Sequence, residues 1–231
     1  MRGAIWIATL LCVAAVLPAR GADDNILRRD TGIVTYKIPQ ADPISLSGSV
    51  SVSDSVIATT AVESLARLQL RDSSEIRIGD RTTVRIGDLA AAADGTPGAT
   101  VFMDRGAVRF AITHPKGGKA NYKFITPTST LGVRGTVGYF VVGPAGQQIY
   151  CVKCQPGDVS VEAGGKSVEV LTGQTLNLGT ENGAVTRSEI VPNRTINNPA
   201  IDQFLGGVSP FGRPASEGSD ITQSGSGIAK I

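Results

Sequence analysis

Residues Phe124–Val142 read F-I-T-P-T-S-T-L-G-V-R-G-T-V-G-Y-F-V-V, and this stretch decides the fold. Phe124 and Ile125 close an apolar run. Pro127 fixes its own φ and biases Thr126 toward extended geometry. Leu131 and Val133 alternate with Gly132 and Arg134, the period of a strand. Gly135 and Gly138 let the backbone bend or be approached closely. Tyr139–Val142 is a continuous apolar run, as expected of a strand covered on both faces. Arg134 stands alone as a charge. Its guanidinium carries five donors and cannot be neutralised, so burying it unpaired would cost roughly several kcal/mol. It must reach water or satisfy its fork. The reading adopted is a structural clamp between strand corners, with a binding role as the alternative.

The stretch T-P-T-S-T-L-G-V-R-G-T resembles the signature of the FecR domain: an apolar strand, T-P, small residues, V-R-G-T, then another apolar strand. Thr126, Pro127, Val133, Arg134, Gly135 and Thr136 carry the likeness, and it extends over roughly Ile33 to Leu178. The resemblance implies a β-solenoid or β-helical stack of short strands. The strand pattern taken alone fits a small β-sandwich as well. The family is similar in name and motif to membrane regulators that relay receptor occupancy to a sigma factor. Those carry an anti-sigma helix and a membrane span ahead of the domain. This sequence shows neither pattern there, so a direct sigma-factor role is not expected.

The chain has 231 residues, enough for one ordinary domain with tails. Its hydrophobic content of 41% supports a core, and 28 glycines with 5% aromatics favour turns and strands over helices. Met1-Arg2, the apolar Ala4–Leu17 and the small residues around Gly21 read as a secretory signal peptide over 1–22. Removing it takes away Arg2 and Arg20. The 22 basic residues become 20 against 20 acidic ones, and the formal charge falls from +2 to zero. Net charge then gives no steering toward nucleic acid. No later run reaches the length of a membrane span.

Outward from the signature, short alternating strands recur. Asp23–Arg29 is polar and reads as a frayed start. Ile33–Ile38 and Leu46–Val56 alternate, the second with a bulge or turn at Ser53-Asp54. Leu65–Asp88 gives three short strands, with R-I-G-D recurring at Arg77 and Arg85. Strands are expected at Val101–Met103, at Ala107–Ile112 with Val108, Phe110 and Ile112 on one face, and at Ile149–Lys153. Gly164-Gly165 between Val159–Ala163 and Lys166–Leu171 marks a two-residue hairpin. Leu176 and Leu178 close the domain, 33–180, and 181–231 reads as a tail. Within it Asn198, Pro199 and Gly206 bracket a short helix near 199–205. From Gly212 the Ser/Gly-rich composition suits disorder.

Candidate chemistry is sparse. His114, the one histidine, sits in a Gly-Pro-Lys loop and reads as solvated. No metal pattern is present, and no cofactor is expected. Cys151 and Cys154, three apart, would face opposite sides of a regular strand, so a disulfide needs a turn at Val152-Lys153. Export favours oxidation, and the pair reads as a structural disulfide, with free thiols or a redox-active pair as the other states. Arg67, Arg71, Arg77 and Arg85 are read as lining one outer face, interleaved with acids. A solvated face is the default and an interaction face the alternative. These features suggest an exported, non-enzymatic binding or sensing module acting through protein contacts in the envelope. A scaffold binding surface polymers and a thiol-redox protein using the cysteines are the competing readings.

Overall fold

Period-two stretches this short bury one face only if they find a second layer. The computed structural model describes residues 25–89, 95–116, 118–193 and 198–204. The expected leader and the Ser/Gly-rich tail lie outside the described residues. The strands are β1 (Ile26–Thr31), β2 (Val34–Lys37), β3 (Ile44–Ser45), β4 (Ser49–Ser51), β5 (Val56–Thr60), β6 (Leu65–Gln69), β7 (Glu75–Ile78), β8 (Thr83–Gly87) and β9 (Gly98–Ala111). There follow β10 (Asn121–Ile125), β11 (Ser129–Val133), β12 (Val137–Gly143), β13 (Gly146–Lys153), β14 (Val159–Ala163), β15 (Lys166–Glu169), β16 (Gln174–Glu181), β17 (Ala184–Pro192) and the one-turn helix α1 (Pro199–Asp202).

The described strands form one hydrogen-bonded network that folds over into two layers. The first runs β4-β1-β6-β7-β9-β12-β13-β16-β17. The second runs β3-β2-β5-β8-β9-β10-β11-β14-β15. β9 belongs to both. Its start pairs with β8 and β10, and its end pairs with β7 and β12. The sequence predicts two strands here, Val101–Met103 and Ala107–Ile112, but Asp104-Arg105-Gly106 is a bend within one strand. The register shifts at that point, and Gly106 takes φ +111°. A Cβ there would lie 2.2 Å from Thr82 Oγ1. Thr82 Oγ1 accepts from Ala107 N at 3.0 Å and donates to the carbonyl of Asp80 at 2.9 Å, which holds the bend.

Among the described strands, β9–β10 pairs in parallel and the other pairings are antiparallel. A regular coil would stack its turns through parallel ladders. This chain instead shuttles between layers, adding a strand or a hairpin to each in turn. The core fills the space between them. Phe124 of the second layer packs on Phe110 (5.3 Å between ring centres) and edge-on to Phe140 (6.4 Å), both of the first. Burial of each such ring contributes about 2–3 kcal/mol.

Several expected boundaries move. The polar start is ordered: Leu27 is fully buried, and β1 lies between β4 and β6. Ser49–Ser51 and Val56–Thr60 are separate strands on different layers, because the chain crosses between them. The segment from 181, read as tail, begins as β17, paired along β16. Its alternation is hidden because no side chain on it is fully buried. Gly164 and Gly165 take φ +56° and +73° and close the β14–β15 hairpin as expected. Asn198 caps α1 by accepting from Ala200 N, and Ile201 and Phe204 dock on Tyr139 and Tyr150. That contact covers the outer side of the Tyr139–Val142 run. Leu205, at the end of the helix expected near 199–205, lies outside the described residues.

Candidate functional site

The signature residues form a corner, and most of them are structural. Thr126 Oγ1 accepts from Ser129 N at 3.0 Å and from Gln147 Nε2 at 2.8 Å. The T-P-T-S turn of the second layer is thereby pinned to β13 of the first. Val133 is fully buried. Thr136 Oγ1 donates to the Lys153 carbonyl, and its own carbonyl accepts from Ile112 N at 2.8 Å. Gly135 takes φ +128°, and a Cβ on it would fall 2.3 Å from the ring of His114. His114 is therefore not simply solvated. Its Nε2 donates to the Gly135 carbonyl at 2.8 Å and lies 3.5 Å from buried Asp158.

Arg134 corrects the clamp reading. Its side chain is exposed and meets no acceptor among the described residues. Its main chain does the joining instead: Arg134 N donates to the Asp158 carbonyl at 2.9 Å, and its carbonyl accepts from Ala120 N at 3.1 Å. Between the two strands the corner turns the side chain outward to water, the other outcome open to an unpaired guanidinium.

Cys151 and Cys154 form a disulfide with Cα atoms 6.0 Å apart. The expected turn is replaced by a bulge. Val137 opposes Lys153 while Gly138 opposes Cys151, which leaves Val152 unpaired. The extra residue changes side-chain parity and brings both sulfurs to one face. Cys151 is 0% and Cys154 9% exposed, so an attacking thiolate has little access.

The four arginines expected on one face divide. Arg67 and Arg77 share the outer face of the first layer. Arg85 lies on the second layer, 3.6 Å over the ring of Phe102. Arg71 sits beyond the end of β6 and donates to the Leu89 carbonyl at 3.2 Å. The chain changes layer between β7 and β8, so the recurring R-I-G-D faces two directions. Two arginines missed in sequence complete the row: Arg28 opposes Arg67, Arg67 opposes Arg77, and Arg77 opposes Arg109. Arg109 was legible, since Val108 and Phe110 point inward and period two sends Arg109 outward. Arg28 was not, because β1 buries little.

Like charges directly opposite one another on a sheet repel. Glu75 offsets this by accepting from Arg77 Nε at 2.7 Å, Arg67 Nη1 at 3.2 Å and Arg109 Nη1 at 3.4 Å. Asp30 holds Arg67 Nη2 at 3.0 Å and lies 3.6 Å from Arg28 Nε. Four guanidinium groups thus share two carboxylates. The row then turns aromatic: Arg109 opposes Tyr139, and Tyr139 opposes Tyr150. Burial holds the Tyr139 phenol above its ordinary pKa, while the Arg109 and Arg77 charges pull the other way. Burial likewise raises Tyr150. α1 covers both rings, and Gln203 beyond it accepts from Asp80 N, tying the cap to the first R-I-G-D turn. Among the described residues no cluster of metal-ligating side chains occurs. The arrangement offers fixed hydrogen-bond donors and positive charge, chemistry complementary to a carboxylate.

A comparison with curated proteins finds no match. Two crystal structures, at 2.50 and 1.65 Å, of a protein provisionally named an anti-sigma factor from Parabacteroides distasonis are similar to part of the chain. Each is 14% identical with a TM-score of 0.46, over 58% of this chain and 57% of that one. The chain thus spans little more than half the length of those structures. The family model for FecR protein matches residues 56–186, which contain β5 to β16, the V-R-G-T corner and all of the arginine row except Arg28. With more than half of its length matched and the signature in place at that corner, the chain belongs to the FecR protein family.

Proposed function

We propose that this protein is a non-enzymatic recognition module of the bacterial envelope with a sensing role. It receives a carboxylate-bearing protein partner on the outer face of the first layer. The observation that carries the reading is the row Arg28–Arg67–Arg77–Arg109, in which four guanidinium groups share two carboxylates. Glu75 and Asp30 hold these groups in place, so a partner meets a preorganised surface and loses less side-chain entropy on binding. The disulfide fits an oxidising compartment, which agrees with the leader expected at 1–22.

The test is crosslinking in intact cells followed by recovery of the tagged protein. Arg77→Glu and Arg109→Glu should each lose the crosslinked partner. Arg85→Glu, on the other layer, should keep it. Equal loss from Arg85→Glu, or no loss from the first two, would refute the site.

A further inference from the structure

A layered sheet must end somewhere, and an exposed edge is a template for another strand. Among the described residues four strands, β3, β4, β15 and β17, pair on one side only, and they are unequal. β3 has 2 residues, β4 has 3 and β15 has 4, whereas β17 has 9. Beyond Thr186 this strand lies outside the family match.

The backbone parity of β17 follows from one bond. Asn193 N donates to the Gly173 carbonyl at 2.8 Å, continuing the register in which Pro192 opposes Gln174. Antiparallel pairs alternate between bonded and non-bonded. Val191, Glu189 and Arg187 therefore turn their N–H and C=O groups toward β16. Ser188 and Ile190 turn theirs to the open edge. Arg187 and Glu189 flank Ser188 symmetrically. They form an ion pair along the strand with side chains 71% and 43% exposed, and such a pair contributes little to the monomer.

We infer that β17 is a self-pairing edge, on which two copies of this chain join antiparallel about a two-fold axis through Ser188. Centred there, Arg187 of each copy stands directly opposite Glu189 of the other, and Ser188 bonds to Ser188 through its outward groups. Centring on Ile190 would oppose Glu189 with Val191 and leave Arg187 without an acid. Centring on Arg187 or Glu189 would use backbone groups already bonded to β16. Charge pattern and backbone parity thus select one register. Ile190, 43% exposed, gains cover from Thr186 of the other copy. The bulge beside Thr186 limits the ladder to a short segment, which suits a reversible dimer. A two-fold axis normal to the sheet keeps both outer faces on one side, so the dimer would present two arginine rows in the same direction.

Sedimentation of the mature full chain across a concentration series tests this, with circular dichroism and melting as the check on folding. The wild type should dimerise. Arg187→Glu and Glu189→Arg should each weaken association by about tenfold or more at low salt. The double swap Arg187→Glu/Glu189→Arg should restore it, because the symmetric complementarity returns. Ser188→Pro should abolish it by removing an outward donor that β16 does not use. A wild type that stays monomeric would leave the edge to another strand, from the tail or from a different protein, and would overturn the inference. So would association indifferent to the single reversals.

Discussion

At Arg134 and Gly135 two neighbouring residues divide the work differently from what their chemistry suggests. The arginine projects into water and lends only its backbone, while the glycine lets His114 lie on the chain. Arg134→Ala is therefore expected to leave the unfolding free energy within about 0.5 kcal/mol of wild type, as for other exposed substitutions. Gly135→Ala should cost about 1–3 kcal/mol, from a positive φ and a Cβ driven into the imidazole. Pairing it with His114→Ala should recover the steric part, visible as coupling in a double-mutant cycle by chemical denaturation. The sequence marked this corner correctly by its T-P and V-R-G-T. It was silent on direction, because a lone arginine among apolar residues looks the same whether the corner turns inward or outward.

Along the elements, alternation was read well and layer was not. Period two placed Arg67 and Arg77 outward, and the same rule reaches Arg109. Nothing in R-I-G-D records that the chain crosses to the other layer after Ile78, so Arg85 was grouped with residues it never meets. β1 and β17 were lost for the opposite reason: strands near an edge bury few side chains, and their apolar signal is thin. The row makes its own prediction. Glu75→Gln removes the charge shared by Arg67, Arg77 and Arg109, leaving like charges opposed across three strands. It should destabilise the protein by about 1–2 kcal/mol, with the loss shrinking as salt is added to a thermal melt. On β13 the bulge at Val152 allows the cystine, and Cys151→Ser/Cys154→Ser should cost about 2 kcal/mol from the short closed loop. The reduced wild type should melt at the same point as that variant.

For the whole molecule, the all-β character was legible from glycines, turns and alternation, but the double layer bent through β9 was not. That bend needs a buried threonine just ahead of β8 and a glycine within β9 to meet at Thr82 and Gly106. The three buried phenols give a global signature. Burial raises Tyr122, Tyr139 and Tyr150 above their ordinary value of 10.0. The folded state thus keeps protons that the unfolded chain releases near that pH. Stability should be intact below it and fall as pH climbs beyond, with phenolate absorbance appearing together with loss of strand signal. The division of labour between corner and face is most directly tested by crosslinking in intact cells with Arg77→Glu and Arg134→Ala side by side, both verified as folded. Loss of the partner by Arg77→Glu with full retention by Arg134→Ala is the expected result. Retention by Arg77→Glu and loss by Arg134→Ala would move recognition to the V-R-G-T corner and contradict the assignment made to the arginine row.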